Sequence, residues 1–144
     1  MDFQLTEIKG KDEFLDTYGI YKYCMYMPNA EKFNKKADSL LSDDSVKIFA
    51  STYSGKTVGV IAVSFVEEHR ALILGIAVDE DFRNNGCASY MIKELVREYS
   101  ISSLLAETDA DAVGFYKKCG FDVEAFEEEY GDESVVRYRC ELAI

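Results

Sequence analysis

The sequence has few of the residues that build metal sites and disulfide frameworks. It contains one histidine and four cysteines in 144 residues, and no two cysteines form a Cys-x-x-Cys pair. Zinc sites and disulfide-rich folds need clusters of these side chains, so we predict no metal cofactor and reduced thiols. Most of the cysteines are expected to be small core residues, and Cys87 is the exception because of its place in the chain.

Basic residues and long apolar runs are also scarce. Lysine and arginine total 16 against 27 acidic residues, which gives a formal net charge of −11. Nucleic-acid binding needs a basic surface, so this class is excluded; an acidic surface attracts amines and other cations, or is simply solvated. No apolar run reaches the ~18 residues of a membrane helix, and the charged N-terminus is not a signal peptide. We expect a cytoplasmic protein with no membrane partner, and we leave a homodimer open.

Nothing in the sequence divides the chain. It has no repeats, no low-complexity segment and no linker, and its only proline, Pro28, lies between two helical stretches. Hydrophobic residues make up 48% of the chain, which is long enough to bury one core. We therefore predict a single domain over residues 1–144.

The hydrophobic periodicity predicts an α/β fold with a mixed sheet and a central parallel strand pair. Alternating segments and apolar runs indicate strands, and three- to four-residue spacing indicates helices, in the order β-α-α-β-β-β-α-β-α-β-β. The centre is a strand over 71–78, a helix over 86–99 and a strand over 103–107. A βαβ unit makes its strands parallel, and ligands bind beyond the carboxyl ends of such strands.

One phosphate-loop pattern is rejected. Residues 50–57, ASTYSGKT, resemble a Walker A loop with Ala50 in place of its first glycine. A Walker A loop must lead into a helix, whose N-terminus holds the phosphates. The segment after Thr57 is VGVIAVSFV, which is typical of a strand, so we predict a hairpin turn with an exposed lysine.

A second candidate anion site follows the strand over 71–78. It reads Arg83-Asn84-Asn85-Gly86-Cys87-Ala88 and opens a helix with almost no side-chain bulk. The first N–H groups of a helix lack partners and carry partial positive charge, so small residues leave room for a diphosphate, and Arg83 adds a full charge. The alternative is that Asn84 or Asn85 caps the helix and Gly86 relieves a tight turn.

Two longer segments resemble the motifs of one enzyme family. Residues 76–95, IAVDEDFRNNGCASYMIKEL, resemble the acetyl-coenzyme A binding motif of the GNAT N-acetyltransferases, in which Arg83, Gly86 and Ala88 match Arg/Gln-x-x-Gly-x-Gly/Ala. Residues 108–121, TDADAVGFYKKCGF, resemble the second signature of that family. The residues in its positions are Asp109, Ala112, Phe115, Tyr116, Lys118, Gly120 and Phe121. The element order over the full chain is also that of the GNAT fold.

The resemblance implies acetyl-CoA as co-substrate and gives individual residues a role. Backbone groups of Ile76 and Val78 should contact the pantetheine arm, and a free N–H near Val78 should stabilise the oxyanion. The loop that should wrap the pyrophosphate, mainly with backbone N–H groups, comprises Arg83, Asn84, Asn85, Gly86, Cys87, Ala88 and Ser89. Asp109 should lie near the pantetheine, and Tyr116 should protonate the leaving thiolate. Arg83 is the only charged residue of this loop.

The implied reaction is attack by a primary amine of a small molecule or protein on the thioester, within a ternary complex. Two alternatives stay open: a GNAT-like domain that binds CoA as a sensor or assembly module, and an acyltransferase that uses a longer acyl-CoA. The strand segment ALILG carries no acidic base, which leaves Glu67, Glu68, His69 or water for that role. Residues 18–27, YGIYKYCMYM, either line an acceptor pocket or form core; we favour core, with one or two tyrosines exposed.

Overall fold

A single seven-stranded sheet runs through the computed structural model, which describes residues 1–144, in the order β1-β2-β3-β4-β5-β7-β6. The strands are β1 (Phe3–Ile8), β2 (Val46–Tyr53), β3 (Lys56–Glu67), β4 (Arg70–Val78), β5 (Ser103–Thr108), β6 (Asp122–Tyr130) and β7 (Glu133–Ala143). All neighbouring strands are antiparallel except β4 and β5, which are parallel. The predicted mixed sheet with a central parallel pair is therefore confirmed.

Five α-helices cover the sheet: α1 (Lys11–Leu15), α2 (Tyr18–Tyr21), α3 (Ala30–Leu41), α4 (Cys87–Tyr99) and α5 (Val113–Lys118). No helix is both long and apolar enough to cross a membrane. The element order agrees with the sequence, except that the first predicted helix is split into α1, α2 and a 3-10 turn. At the break, both the backbone N–H and the hydroxyl of Thr17 donate to the Phe14 carbonyl, at 2.9 and 2.7 Å, and side-chain bonds of this kind compete with helix continuation.

The two faces of the sheet carry separate cores. On the front face, α1, α2 and α3 pack against β1, β2 and β3; on the back face, α4 and α5 pack against the middle and C-terminal strands. The predicted periodicity of α4 is confirmed, since Met91, Ile92 and Leu95 are buried against the back face. β3 runs between both cores, and Val58, Val60 and the three residues 61–63 are fully buried.

β4 differs from β3 because it contains a bulge. Val63 pairs with Ile73 and Ala62 pairs with Gly75, so Leu74 has no partner on β3. The extra residue shifts the alternation, and for this reason Ile73 belongs to the back core while Ala77 belongs to the front core. Leu74 itself is 39% exposed, so the expectation that β4 is covered on both faces is wrong at this position.

β4 and β5 separate soon after they meet. Their pairing covers only Arg70–Leu72 of β4 with Ser103–Leu105 of β5. Beyond this point Ile73–Val78 stays paired with β3 but has no strand on its β5 side, whereas β5 remains paired with β7 as far as Thr108. The gap between Ile73–Val78 and Ala106–Thr108, which we call the β4–β5 cleft, opens toward the carboxyl ends of both strands and toward the N-terminus of α4.

Candidate functional site

A run of free backbone N–H groups lies just beyond the C-terminal end of β4. None of the N–H groups of Arg83–Ser89, which we call the amide loop, donates a hydrogen bond within the protein. Two of its residues have left-handed backbone, Asn84 with φ 65° and Gly86 with φ 80°. Asparagine and glycine adopt this conformation at least cost, and it turns successive N–H groups toward one side. The helix start is therefore free of internal partners, and anion binding by this loop stays a prediction.

The alternative role of the asparagines as helix caps is wrong. Gly86 is the N-cap of α4, and no side chain caps this helix. The Asn85 side chain instead donates to the Arg83 carbonyl at 3.1 Å, which stabilises the loop itself. A Cβ placed on Gly86 would find no atom within 4 Å, so there is open space beside the loop for an anion.

The interpretation of the cysteines needs correction. Cys87 is 2% exposed, and its thiol packs where a Cβ on Gly59 would be, beside Met91. Burial raises the pKa of the Cys87 thiol, so this side chain belongs to the core and only its backbone can serve the amide loop. The exception among the cysteines is Cys24, which is exposed.

Arg83 connects the amide loop to the N-terminal segment. Its guanidinium lies 4.4 Å from the ring centroid of Tyr23, and its Nε donates to the Val78 carbonyl at 3.4 Å. The Tyr23 hydroxyl in turn donates to Glu80 at 3.3 Å. The guanidinium of Arg83, the residue predicted to bind phosphate, therefore lies between the loop and an aromatic ring. Its remaining N–H groups are free to bind an anion.

Arg83 is not the only cation at this end of the molecule. A pocket of about 460 Å³ adjoins Gly86 and Ser89, and Lys93 and Arg97 line it. Arg97 forms an ion pair with Glu94, whereas Lys93 has no acidic partner. The sequence could have indicated Lys93 and Arg97, because they follow Ser89 at four-residue spacing and therefore lie on the same face of α4.

The backbone of β4 presents two residues to the β4–β5 cleft. The N–H of Asp79 donates to the Val58 carbonyl at 2.8 Å, so this pair exchanges hydrogen bonds between β3 and β4. Antiparallel pairs alternate in this respect, and the backbone groups of Ile76 and Val78 therefore point away from β3, into the cleft. These are the two residues that the resemblance assigned to a pantetheine arm.

Tyr116 forms the back wall of the cleft. It is 6% exposed on the inner face of α5, and its ring packs edge-on against Phe115 and Phe121 with centroids 5.1 and 5.2 Å away. Burial raises the pKa of its hydroxyl above the usual value, and Cys140 and Cys24 add to this effect. The phenol therefore stays protonated, as a proton donor must. Burial on the inner face of a helix is equally typical of a core aromatic residue.

Asp109 has a local task at the end of β5. Its Oδ1 accepts hydrogen bonds from the backbone N–H groups of Asp111 and Ala112, at 3.0 and 3.1 Å. These bonds order the turn that leads into α5, whose own N-cap, Ala112, has no side-chain partner. The motif residue thus fixes the helix that carries Tyr116, at the edge of the cleft.

The segment over residues 18–27 forms the front wall. Tyr21 is 2% exposed and belongs to the front core, whereas Tyr23 and Tyr26 are 47% and 87% exposed. The expectation of one or two exposed tyrosines is met, but the segment beyond Tyr21 is not core, because Cys24 and Met27 are exposed as well. Tyr21 and Cys24 lie over Gly75, inside the cleft.

The proposed base positions are at the wrong end of the sheet. Glu67, Glu68 and His69 form the turn before β4, and about seven strand residues, roughly 20 Å, separate them from Ile76. A carboxylate that the sequence interpretation missed is Glu107 on β5. Ala106 belongs to the back core, so Glu107 lies on the front face, at the open part of the cleft. The alternation of β5 was the signal that could have shown it.

Two further expectations concern the rest of the surface. Residues 50–57 form the end of β2, a turn and the start of β3, with left-handed backbone at Ser54 and Gly55, so the hairpin turn is confirmed. No three His, Cys, Asp or Glu side chains come together in a way that would hold a metal ion.

Comparison with known proteins agrees with this geometry. Residues 12–121 match the profile of the acetyltransferase (GNAT) family. The fold is similar to the Escherichia coli ribosomal-protein-S18-alanine N-acetyltransferase, with TM-score 0.72, 18% identity and coverage of 99% of this chain and 94% of that one. It is similar to Ard1 from Thermoplasma volcanium, with TM-score 0.73, 24% identity and coverage of 100% and 99%.

A third structure was solved with acetyl-CoA bound. It is a GNAT family acetyltransferase from Elizabethkingia anophelis, with TM-score 0.70, 18% identity and coverage of 99% of this chain and 98% of that one. At these identities the likeness establishes the fold. No curated protein matches the chain in sequence.

Proposed function

Because the chain belongs to the GNAT acetyltransferase family, we propose that it transfers an acetyl group from acetyl-CoA to a primary amine by direct attack in a ternary complex. One observation carries the proposal: an unpaired strand edge, Ile73–Val78, leads directly to the amide loop Arg83–Ser89, whose N–H groups are all free. A ligand with an amide-rich arm and a diphosphate matches both parts, and CoA is such a ligand.

The arm and the diphosphate bind by the same kind of contact. The amides of pantetheine pair with the cleft-facing backbone of Ile76 and Val78, as an added strand would. The diphosphate accepts hydrogen bonds from the amide loop, where the dipole of the 13-residue helix α4 favours negative charge. Arg83 and Lys93 add full positive charges at this site, although the chain as a whole has a net charge of −11.

The chemistry needs a donor for the oxyanion and a proton for the thiolate. Once the pantetheine lies along β4, a remaining N–H of its cleft-facing residues, Ile76 or Val78, can donate to the oxygen of the tetrahedral intermediate. The intermediate collapses by breaking its C–S bond, and Tyr116 gives its proton to the CoA sulfur. Tyr116 carries that proton at neutral pH, as any phenol does, and burial raises its pKa further.

Direct attack is favoured over an acetyl-cysteine intermediate. Cys24 is the thiol at the cleft, and burial of its sulfur raises its pKa to about 11. At neutral pH only about one thiol in 10⁴ is then the thiolate, which is the nucleophilic form. The acceptor amine therefore attacks the thioester itself.

The attacking amine enters from the front and must lose a proton. Glu107 is the carboxylate that β5 places on the front face of the cleft. We assign it the task of attracting the ammonium form of the acceptor and taking its proton, directly or through water.

The test measures binding and turnover separately. Titration calorimetry with CoA gives the affinity of the proposed site, and release of free CoA thiol from acetyl-CoA is followed with a panel of amines, amino acids, antibiotics and peptides. Amine-dependent release supports the acetyltransferase. Tight CoA binding with no release by any amine would favour the sensor or assembly role, and no CoA binding would contradict the site itself.

A further inference from the structure

Gly75 of β4 lies directly under two side chains that fill part of the cleft, those of Tyr21 and Cys24. A Cβ placed on Gly75 would overlap the Tyr21 hydroxyl and lie 2.8 Å from Tyr21 Cζ and 3.1 Å from Cys24 Sγ. A distance under 3.0 Å is not tolerated by real Cβ atoms, so no larger residue fits beside this phenol without movement. The phenol and the thiol thus fill the front side of the cleft just after the bulge.

Tyr21 is held firmly in this position. It is 2% exposed, and its ring packs against Phe14 and Phe33 with centroids 5.2 and 5.6 Å away. The Cys24 thiol donates to the Tyr21 carbonyl at 3.1 Å and is thereby fixed next to it. Buried, interdigitated aromatic rings do not rearrange without cost, so this side of the cleft is a wall rather than an adaptable surface.

Two other sides of the same space are closed as well. At its Leu72 end, the pairing of Leu72 with Leu105 joins β4 to β5 and ends the cleft. On the back face of the sheet, Ile73 and Tyr116 belong to the back core. The space beside Gly75 is therefore bounded over β4, at the Leu72 end and behind. It stays open toward Val78 and the amide loop, and on the β5 side of the front face toward the exposed Glu107, where the proposed acceptor amine enters.

The direction of the donor follows from the position of the anion site. The diphosphate lies beyond Val78, so the pantetheine runs from Val78 toward Ile73, and the thioester comes last, beside Gly75. We propose that Tyr21 and Cys24 form a wall that restricts the acyl donor to a two-carbon chain. This inference rests on the proposed function, because it assumes that CoA binds along β4, and it assigns the choice between acetyl-CoA and longer acyl-CoAs to two named side chains.

The experiment compares acyl-chain length within one protein. Calorimetric affinities for acetyl-, propionyl- and butyryl-CoA are each divided by the affinity for CoA itself, in the parent and in Cys24→Ala, Tyr21→Phe and the double variant. One methylene in a fitted apolar site changes discrimination by roughly 10- to 200-fold, so the parent should bind butyryl-CoA at least tenfold more weakly than acetyl-CoA. The double variant removes the sulfur and the hydroxyl that touch Gly75 and should reduce this penalty about tenfold.

Controls make the outcome specific. Cys119→Ala removes a thiol at the end of α5, away from Gly75, and should keep the parental pattern. Cys24 is exposed, so Cys24→Ala will fold even if a change at the buried Tyr21 does not, and it decides the question alone in that case. Equal relative affinities for acetyl- and butyryl-CoA in the parent, or an unchanged penalty in folded Cys24→Ala and double variants, would overturn the wall while leaving CoA binding intact. Failure of CoA itself to bind the parent would overturn the proposed function and the wall together.

Discussion

The back and front walls of the β4–β5 cleft are built from very different kinds of chain. The back wall comes from α4 and α5, two regular helices whose buried faces repeat every three to four residues. The front wall comes from residues 18–27, where α2, a 3-10 turn and an extended connection follow within ten residues. In the proposed reaction, the groups that any acetyl transfer needs lie on the regular side, and those that would choose the substrates lie on the irregular side.

This division has a physical cause. Donors for a diphosphate and a proton for a thiolate must be placed with little freedom, and helix termini and helix faces provide this. A wall that only limits the size of a bound substrate can be made by any packed side chain. The segment that forms it can therefore vary in length and in backbone conformation. The predictions below test whether the two walls can be changed separately.

The largest effect is expected at the amide loop, on the back side. Gly86→Glu places a negative charge where the diphosphate lies, in space that is otherwise open. Two like charges about 4 Å apart repel by about 4 kcal/mol near a protein surface, which corresponds to a roughly thousandfold loss of CoA affinity. Calorimetry with CoA, alongside circular dichroism to verify folding, measures it.

The matched control at this position is Gly86→Asn. Asparagine accepts the φ of 80° better than other residues and carries no charge, so CoA affinity should fall much less than with glutamate. Unchanged CoA affinity in a folded Gly86→Glu protein would mean that the anion binds elsewhere.

Tyr116→Phe should produce the next largest effect. The ring contacts with Phe115 and Phe121 are retained, so the free energy of unfolding should change little. Loss of a general acid costs about 10²- to 10⁴-fold in rate, and we expect the low end, because a thiol with a pKa near 8.5 leaves moderately well without a proton. The measurement is kcat with saturating amine, where KM for acetyl-CoA should be unchanged.

Tyr99→Phe serves as its control, because Tyr99 is also a partly buried aromatic but packs against Phe49 and Phe65, far along α4. It should keep the parental kcat. A parental rate for Tyr116→Phe, when chemistry limits turnover, would reduce Tyr116 to a core aromatic.

How far the sequence determines this site also differs between the two walls. The small residues at the start of α4 pointed to the amide loop directly, because this feature depends on a few neighbouring residues and on one strand–helix junction. Ile76, Val78 and Tyr116 came from the resemblance, whose motifs are short segments at the ends of β4 and β5. These features are local in the chain.

Three of the errors involve contacts between distant segments. Cys87 was singled out for its place in the loop, but its side chain packs into space left by Gly59 of β3, and no local pattern shows this. The exposure of Leu74 depends on a bulge, which is defined only by pairing with β3. The role of Gly75 depends on Tyr21, more than fifty residues away in the chain. The misplacement of His69 is different, because the direction of β4 alone places it at the opposite end.

Arg83→Ala tests the connection between the two walls. Arg83 belongs to the amide loop but stacks on Tyr23 of the front segment. A charge-assisted hydrogen bond contributes roughly 1.5–3 kcal/mol, so CoA affinity should fall about tenfold to hundredfold, while a phosphate-free pantetheine fragment should be little affected. Tyr23→Leu, which removes only the stacking partner at an exposed site, should cost CoA affinity a few-fold at most. Equal losses for CoA and pantetheine would contradict a phosphate contact.

The smallest effect concerns the front wall alone and the protonation of Cys24. The residue Cys24 is exposed as a whole, but its sulfur lies against the Tyr21 carbonyl, and burial of the thiol raises its pKa to about 11. Only the thiolate reacts with iodoacetamide, so modification at pH 8 should be slow compared with an ordinary exposed cysteine and should accelerate about tenfold for each pH unit up to pH 10. Mass spectrometry of the labelled peptide gives the rate, and Cys24→Ala identifies the signal. Because the acyl end of the donor lies against this thiol in the proposed complex, acetyl-CoA should slow the labelling further. Rapid labelling at pH 8 would mean that the thiol is well solvated, and a front wall that rests on a fixed, dehydrated Cys24 would then be untenable.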